Sequence, residues 1–161
     1  MKVKIIIPII VSSLFIGCAS VPKADPQLSE QVKELSPPKD GYSSIYVFRT
    51  NSVKGASLKK DVWIDGECLG ETSRGVFFHK EVEGNKKHVI STESEFSPNH
   101  LELETEEGKQ YFIQQFIKMG AFVGGANLKQ VDEEFGKKAI AEYSLAQGKD
   151  CSKKTIDLSK K

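Results

Sequence analysis

From residue 44 to residue 130 a turn-forming residue or pair recurs about every ten residues, and the runs between them are rich in β-branched and aromatic side chains. A chain punctuated in this way builds many short strands rather than long helices. Residues 44–50 (SIYVFRT) read as the first strand. Residues 61–64 run into Asp65-Gly66, and an Asp-Gly pair between apolar runs marks a hairpin, because both central residues of a type I′ turn take positive φ. The return strand is 67–70. Residues 76–82, 87–92, 99–105, 110–118 and 126–130 supply the others, separated by Glu83-Gly84-Asn85, by Glu107-Gly108 and by the glycine-rich MGAFVGG at 119–125. The expectation is a mainly β fold over residues 41–148: a small antiparallel β-sandwich of about eight strands with one short C-terminal helix. That helix is expected near the end, where Asp132, Glu133 and Glu134 precede Lys137 and Lys138, an order that suits the helix dipole. Val131, Phe135, Ala139 and Tyr143 would form its packing stripe. Gly136 costs about 1 kcal/mol relative to alanine there, which predicts a short helix.

The first 17 residues read as an address. Lys2 and Lys4 precede an apolar stretch, IIIPIIVSSLFI, that is shorter than the roughly 18 residues a membrane helix needs and is interrupted by Pro8. The stretch ends in Gly17-Cys18, which resembles the lipobox of bacterial lipoproteins, with Phe15 in place of the usual leucine. The resemblance implies lipidation of Cys18 and cleavage before it, the rival being an ordinary signal peptide cut after Ala19 or Ser20. Two or more acyl chains would anchor the protein stably, since each buried methylene contributes about 0.8 kcal/mol. Ala19 is not the aspartate that tends to retain such proteins on an inner membrane, so the resemblance points to an outer membrane, facing the periplasm. Residues 18–40 hold four of the six prolines and read as a lipidated cysteine and a proline-rich tether, with a thin helical stripe of Leu28, Val32 and Leu35. Residues 149–161 are lysine-rich and are expected as a mobile basic tail.

The ordered set IYVFR (45–49), VWIDG (62–66) with Gly70, HVI (88–90), and EEGKQYFIQQ (106–115) with MGAFVGG resembles the bacterial lipoproteins built on domain of unknown function 2846, similar in style to PEGA-type β-sandwich repeats. The resemblance covers about residues 42–146. It implies a small β-sandwich on a lipid anchor and supplies no catalytic residues. One departure is Gly84-Asn85-Lys86-Lys87, where Pro-Gly often precedes the position of His88.

Chemistry is sparse. A formal net charge of +1 lacks the clustered basic excess of a nucleic-acid binder. His79, His88 and His100 have no metal-ligand spacing and read as exposed or half-buried strand residues. Glu102, Glu104 and Glu106 alternate with Leu101, Leu103 and Thr105, which places the acids on one solvated face. No nucleophile elbow or phosphate loop occurs. Neither catalytic residues, metal nor cofactor are therefore expected. Cys68 and Cys151 either form a bridge in an oxidising compartment or remain two free thiols. Trp63 opposes Val62 and Ile64 in parity, so it lies either outside, as an interaction surface, or beneath the C-terminal helix. Phe122 and Val123 form either an exposed apolar tip or part of the core. The reading that follows is an uncharacterised lipid-anchored envelope protein, a non-catalytic binding or structural module. Its partners would be the membrane, through the anchor, and an envelope protein or glycan. The alternative is a divergent envelope hydrolase.

Overall fold

The computed structural model describes residues 19–159. Residues 1–18, which hold the expected leader and Cys18, lie outside the described residues. The elements run α1 (Pro26–Lys33), β1 (Tyr42–Arg49), β2 (Lys60–Ile64), β3 (Glu67–Thr72), β4 (Val76–Glu83), β5 (Lys87–Thr92), β6 (Asn99–Glu104), β7 (Gln110–Lys118), β8 (Gly125–Val131), α2 (Glu133–Glu142) and β9 (Ser144–Leu145). The strands form a five-stranded sheet, β8-β7-β1-β4-β9, packed on a four-stranded sheet, β3-β2-β5-β6. The fold is mainly β, as the strand pattern implies. Nine strands are present among the described residues, the extra one being the two-residue β9. Two pairings depart from an all-antiparallel arrangement: β1 with β7, and β4 with β9, are parallel. The first brings together two of the longest β-rich runs at the centre of the sheet, and β2 to β6 form the crossover between them.

That central position explains the burial of β1, in which Ser43 to Arg49 are all inaccessible. Ile45 and Val47 point between the sheets, where they meet Val62, Ile64, Ile90, Leu103 and Ile113. Tyr46 and Phe48 point the other way, into a second core with Phe77, Phe112, Ala139 and Ile140. The molecule is therefore a sandwich with a helical layer over one sheet. Helix α2 is capped by the Asp132 carboxylate, which accepts from Phe135 N–H at 2.8 Å. Its buried stripe is Gly136, Ala139 and Ile140, whereas Phe135 is 44% exposed. Val131, Ala139 and Tyr143 of the expected stripe pack on the outer core, and Phe135 lies at its edge, tilted against Phe48 at 6.1 Å. Gly136 and Ile140 widen the buried face: a Cβ at Gly136 would lie 2.2 Å from Phe112 Cγ, so the helix sits directly on that ring. The Asp65-Gly66 hairpin has both residues at positive φ, 53° and 81°, as its turn type requires.

Both flanking segments differ from expectation. Residues 19–40 pack on the domain instead of spacing it. Val21 is buried, Pro22 O accepts from Gln147 N–H at 2.9 Å, and Ala24 N–H donates to Leu145 O at 2.9 Å. Val32 and Leu35 pack against the outer core. The prolines stiffen a segment in which Val21, Val32 and Leu35 are taken up by the sandwich, while Leu28 stays 47% exposed. The C-terminal tail is also held. Cys68 N–H donates to Lys154 O at 2.8 Å, Ile156 N–H to Gly66 O at 2.9 Å, and Ser152 N–H to the buried Asp61 carboxylate at 2.9 Å. An unpaired Asp61 would be costly at 2% exposure, and the tail satisfies it.

Candidate functional site

The register places four connections at one end of the sandwich: residues 50–59, 73–75, 93–98 and 119–124. Arg49 organises the first of them. It is 2% exposed, and its guanidinium donates to Leu58 O at 2.7 Å and to Gly55 O. Desolvation lowers its pKa to about 10, so it remains charged at neutral pH while these carbonyls hold it. Below it Gln115, fully buried, donates to Thr92 Oγ1 at 2.7 Å and faces Thr72 Oγ1, which ties the two sheets together with polar groups. Glu95 organises the last connection. Its carboxylate accepts from the N–H groups of Ala121 at 2.7 Å, Phe122 at 2.5 Å and Val123 at 3.1 Å. Partial burial pushes this carboxyl up, and the donors from Phe122, Ala121 and Val123 together outweigh it and hold it below the usual carboxylate range.

With their backbones held inward, these loops turn apolar side chains outward. Val53 is 86% exposed, Phe96 81%, Met119 83%, Phe122 87% and Val123 55%. Phe122 and Val123 thus stand on the surface, in the company of three residues that sequence reasoning did not single out. Val53 and Phe96 come from loops far apart in sequence, so no local pattern marks them as neighbours. Arg49 was legible only as one charge in an otherwise apolar strand.

The other sequence-derived residues are scattered. Trp63 is buried at 2% exposure, so it presents no interaction surface. It is covered by the tail rather than by α2, which lies on the opposite sheet; Trp63 Nε1 donates to Lys153 O at 2.9 Å. Cys68 and Cys151 form a disulfide across 83 residues. Cys151 is thereby fastened beside β3, on the same sheet as Trp63.

The histidines occupy three separate places. His88, expected at least half-exposed, is buried because Asp65 Oδ2 at 2.7 Å and Glu83 O at 2.8 Å take its two ring nitrogens. A neutral ring donates to only one of these acceptors, and an imidazolium donates to both. His100 Nδ1 lies 2.7 Å from Ser91 Oγ. His79 stacks on Tyr46 at 4.6 Å and its Nε2 lies 3.1 Å from Ser44 Oγ. Burial lowers the His79 pKa, against a smaller upward pull from Glu81. Ser44 is 1% exposed on the central strand. The acids of β6 face outward, and Glu102 pairs with Lys87 at 2.5 Å. No group of three metal-ligating side chains able to hold an ion occurs among the described residues.

A groove of about 460 Å³ runs between α1, β4 and the start of the tail, lined by Ala24, Leu28, Leu69, Phe78 and His79. It is the most apolar concavity near these elements, and its single titratable ring is already stacked on Tyr46. No described helix is long and apolar enough to cross a membrane.

A family model described as protein of unknown function (DUF2846) matches residues 39–126, from just before β1 into the start of β8. An uncharacterized protein of Haemophilus influenzae (strain Rd) is 47% identical over 136 residues, which cover 84% of this chain and 80% of that protein.

Proposed function

The chain belongs to the DUF2846 family, whose description assigns no activity, and from the molecule itself we propose a lipid-anchored, non-catalytic module of the cell envelope. The anchor would be Cys18, and the location an outer membrane facing the periplasm. The partner would be an envelope protein or glycan. The observation that carries the reading is the conjunction at residues 17–19: Gly17-Cys18 closes a leader-like stretch, and Ala19 is already hydrogen-bonded to the folded domain. The disulfide suits an oxidising compartment outside the inner membrane. Absence of catalysis is supported by the histidines, each engaged by a neighbouring side chain on a different part of the sandwich.

The test is metabolic labelling with a palmitate analogue, followed by fractionation of wild type and Cys18→Ala. Wild type is expected in the membrane fraction, labelled and cut before Cys18, and Cys18→Ala unlabelled and at the mass of the uncut chain. Label on Cys18→Ala, or wild type cut after Ala19 or Ser20, would overturn the anchor. Photo-crosslinking from Leu28, in the groove, then identifies the partner class; Trp63 is unsuitable because it is covered.

A further inference from the structure

The apolar end and the start of the described chain coincide. Ala19 N–H donates to Ala56 O at 3.1 Å, on the 50–59 loop that also carries Val53. Gly55 of that loop abuts Ile117, and Leu58 abuts Gly124, at the root of the loop bearing Phe122. Ser94 and Glu95, beside Phe96, abut Gly125. The four most exposed large apolar residues among those described, Val53, Phe96, Met119 and Phe122, therefore share the end at which residue 18 joins the domain. Consecutive Cα atoms are about 3.8 Å apart, so the cysteine that precedes Ala19 in the sequence is joined to it by a single peptide unit. Because residues 21–24 are fastened to β9 and to the segment after it, no slack chain separates that cysteine from the sandwich.

We infer that this end is a bilayer seat: Val53, Phe96, Met119, Phe122 and Val123 enter the headgroup and upper acyl region of a phospholipid membrane beside the lipid on Cys18. This rests on the anchor reading given above. The end has the properties such a seat requires. An interfacial element buries its apolar side chains about 5–10 Å deep, and any backbone donor carried with them must be satisfied within the protein. Glu95 meets that need for three consecutive N–H groups of the tip. Glu93, the other acid of this loop, faces Lys60 at 3.4 Å. Lys54 and Lys118 stand beside the apolar residues without an ion pair among the described residues, as suits anionic headgroups. The opposite end carries turns closed by charged and polar groups, which suits water. Seating also gives the anchor its second attachment: acyl chains hold the chain to the membrane, and the tip fixes how the sandwich stands on it.

The test uses the full acylated chain in vesicles of phosphatidylethanolamine and phosphatidylglycerol, with and without lipids brominated high on the acyl chain. Trp63 is the chain's one tryptophan and, lying under the tail, serves as the background. Phe122→Trp and Phe96→Trp report on two loops of the seat, and Lys86→Trp reports on the far end. Retention of the disulfide and of the circular dichroism spectrum establishes that each variant is folded. Wild type and variants are expected to float with the vesicles. Brominated lipid should then quench the added emission of Phe122→Trp and Phe96→Trp roughly twofold, leaving Lys86→Trp at the wild-type level. Flotation without quenching at either loop overturns the seat and leaves the anchor intact. A blue shift unaffected by brominated lipid, which would mean a second copy or a protein partner on the tip, also overturns it. Failure of the acylated wild type to float overturns the anchor reading and the seat together.

Discussion

The two ends of the sandwich are built from the same kind of material and used in opposite ways. At the Asp65-Gly66 end, turn side chains close on the turns themselves. Asp65 accepts from His88 Nδ1 and Val89 N–H, Thr105 Oγ1 lies within 3.1 Å of the carbonyls of Glu83 and Lys86, and Lys86 pairs with Glu83. The end of the tail is fastened on this side, at Gly66 and Cys68, whereas Ser152 reaches back along the sheet to Asp61. At the other end, Arg49 and Glu95 hold backbone carbonyls and N–H groups, and the large apolar side chains are left outside. The difference separates what stabilises the fold from what the fold displays. Side chains at the first end are engaged within the molecule, whereas those at the second have no intramolecular role in proportion to their size.

This contrast is open to direct challenge. The largest effect is expected from Cys151→Ser. Releasing an 83-residue loop should lower stability by about 4.5 kcal/mol in the chain-entropy model, read as a fall in urea midpoint that reductant reproduces in wild type. If the midpoint hardly moves, the tail is held without its bond. Next comes Asp65→Ala, which leaves His88 Nδ1 and Val89 N–H without their acceptor and should cost about 1–3 kcal/mol. At the other end, Glu95→Gln should leave global stability nearly unchanged while raising amide exchange at Ala121, Phe122 and Val123. Acid should mimic that variant. The Glu95 pKa is depressed, so its hold on the tip is complete above the unfolded value of 4.5 and is lost as pH falls through the folded one. Protection of the 121–123 amides, relative to their intrinsic exchange rates, that Glu95→Gln leaves unchanged above pH 4.5 would contradict the clasp. The smallest effect belongs to Phe122→Ser, expected within about 0.5 kcal/mol of wild type because its side chain is largely exposed. A large loss there would erase the distinction between the two ends.

His79 offers a control lying away from both ends. Its pKa is lowered by burial, so the unfolded chain binds more protons below 6.5 and stability falls as pH drops through that value. His79→Phe, which keeps the stacking on Tyr46, should flatten this dependence between pH 7 and 5 without altering amide exchange at the tip.

Much of the strand plan was legible because its signals are local. The limits 87–92 and 110–118 coincide with β5 and β7, since alternation and flanking turns act within a few residues. The parallel β1–β7 pairing was not legible: two central strands are matched by burial on both faces, a property of the sheet and not of either run. The tether and tail failed for a related reason. Proline content and lysine content describe how a segment behaves alone, whereas Leu145 and Gln147 for the first segment, and Asp61 and Trp63 for the tail, supply partners from elsewhere in the chain. For the site, Phe122 and Val123 could be named as a pair, but their exposure and their joining with Val53, Phe96 and Met119 required three loops to converge.

By itself the sequence determined where the turns fall, which runs become strands, that a leader-like stretch ends at Gly17-Cys18, and that two further cysteines were available to each other. These are consequences of local backbone preference and of residue type. The tertiary structure alone decided that Cys68 and Cys151 meet, that Trp63 is covered by the tail, and that Ala19 begins beside the apolar loops. Each of those facts depends on which distant segments are brought together, and the burial of two cores on opposite faces of β1 sets that arrangement.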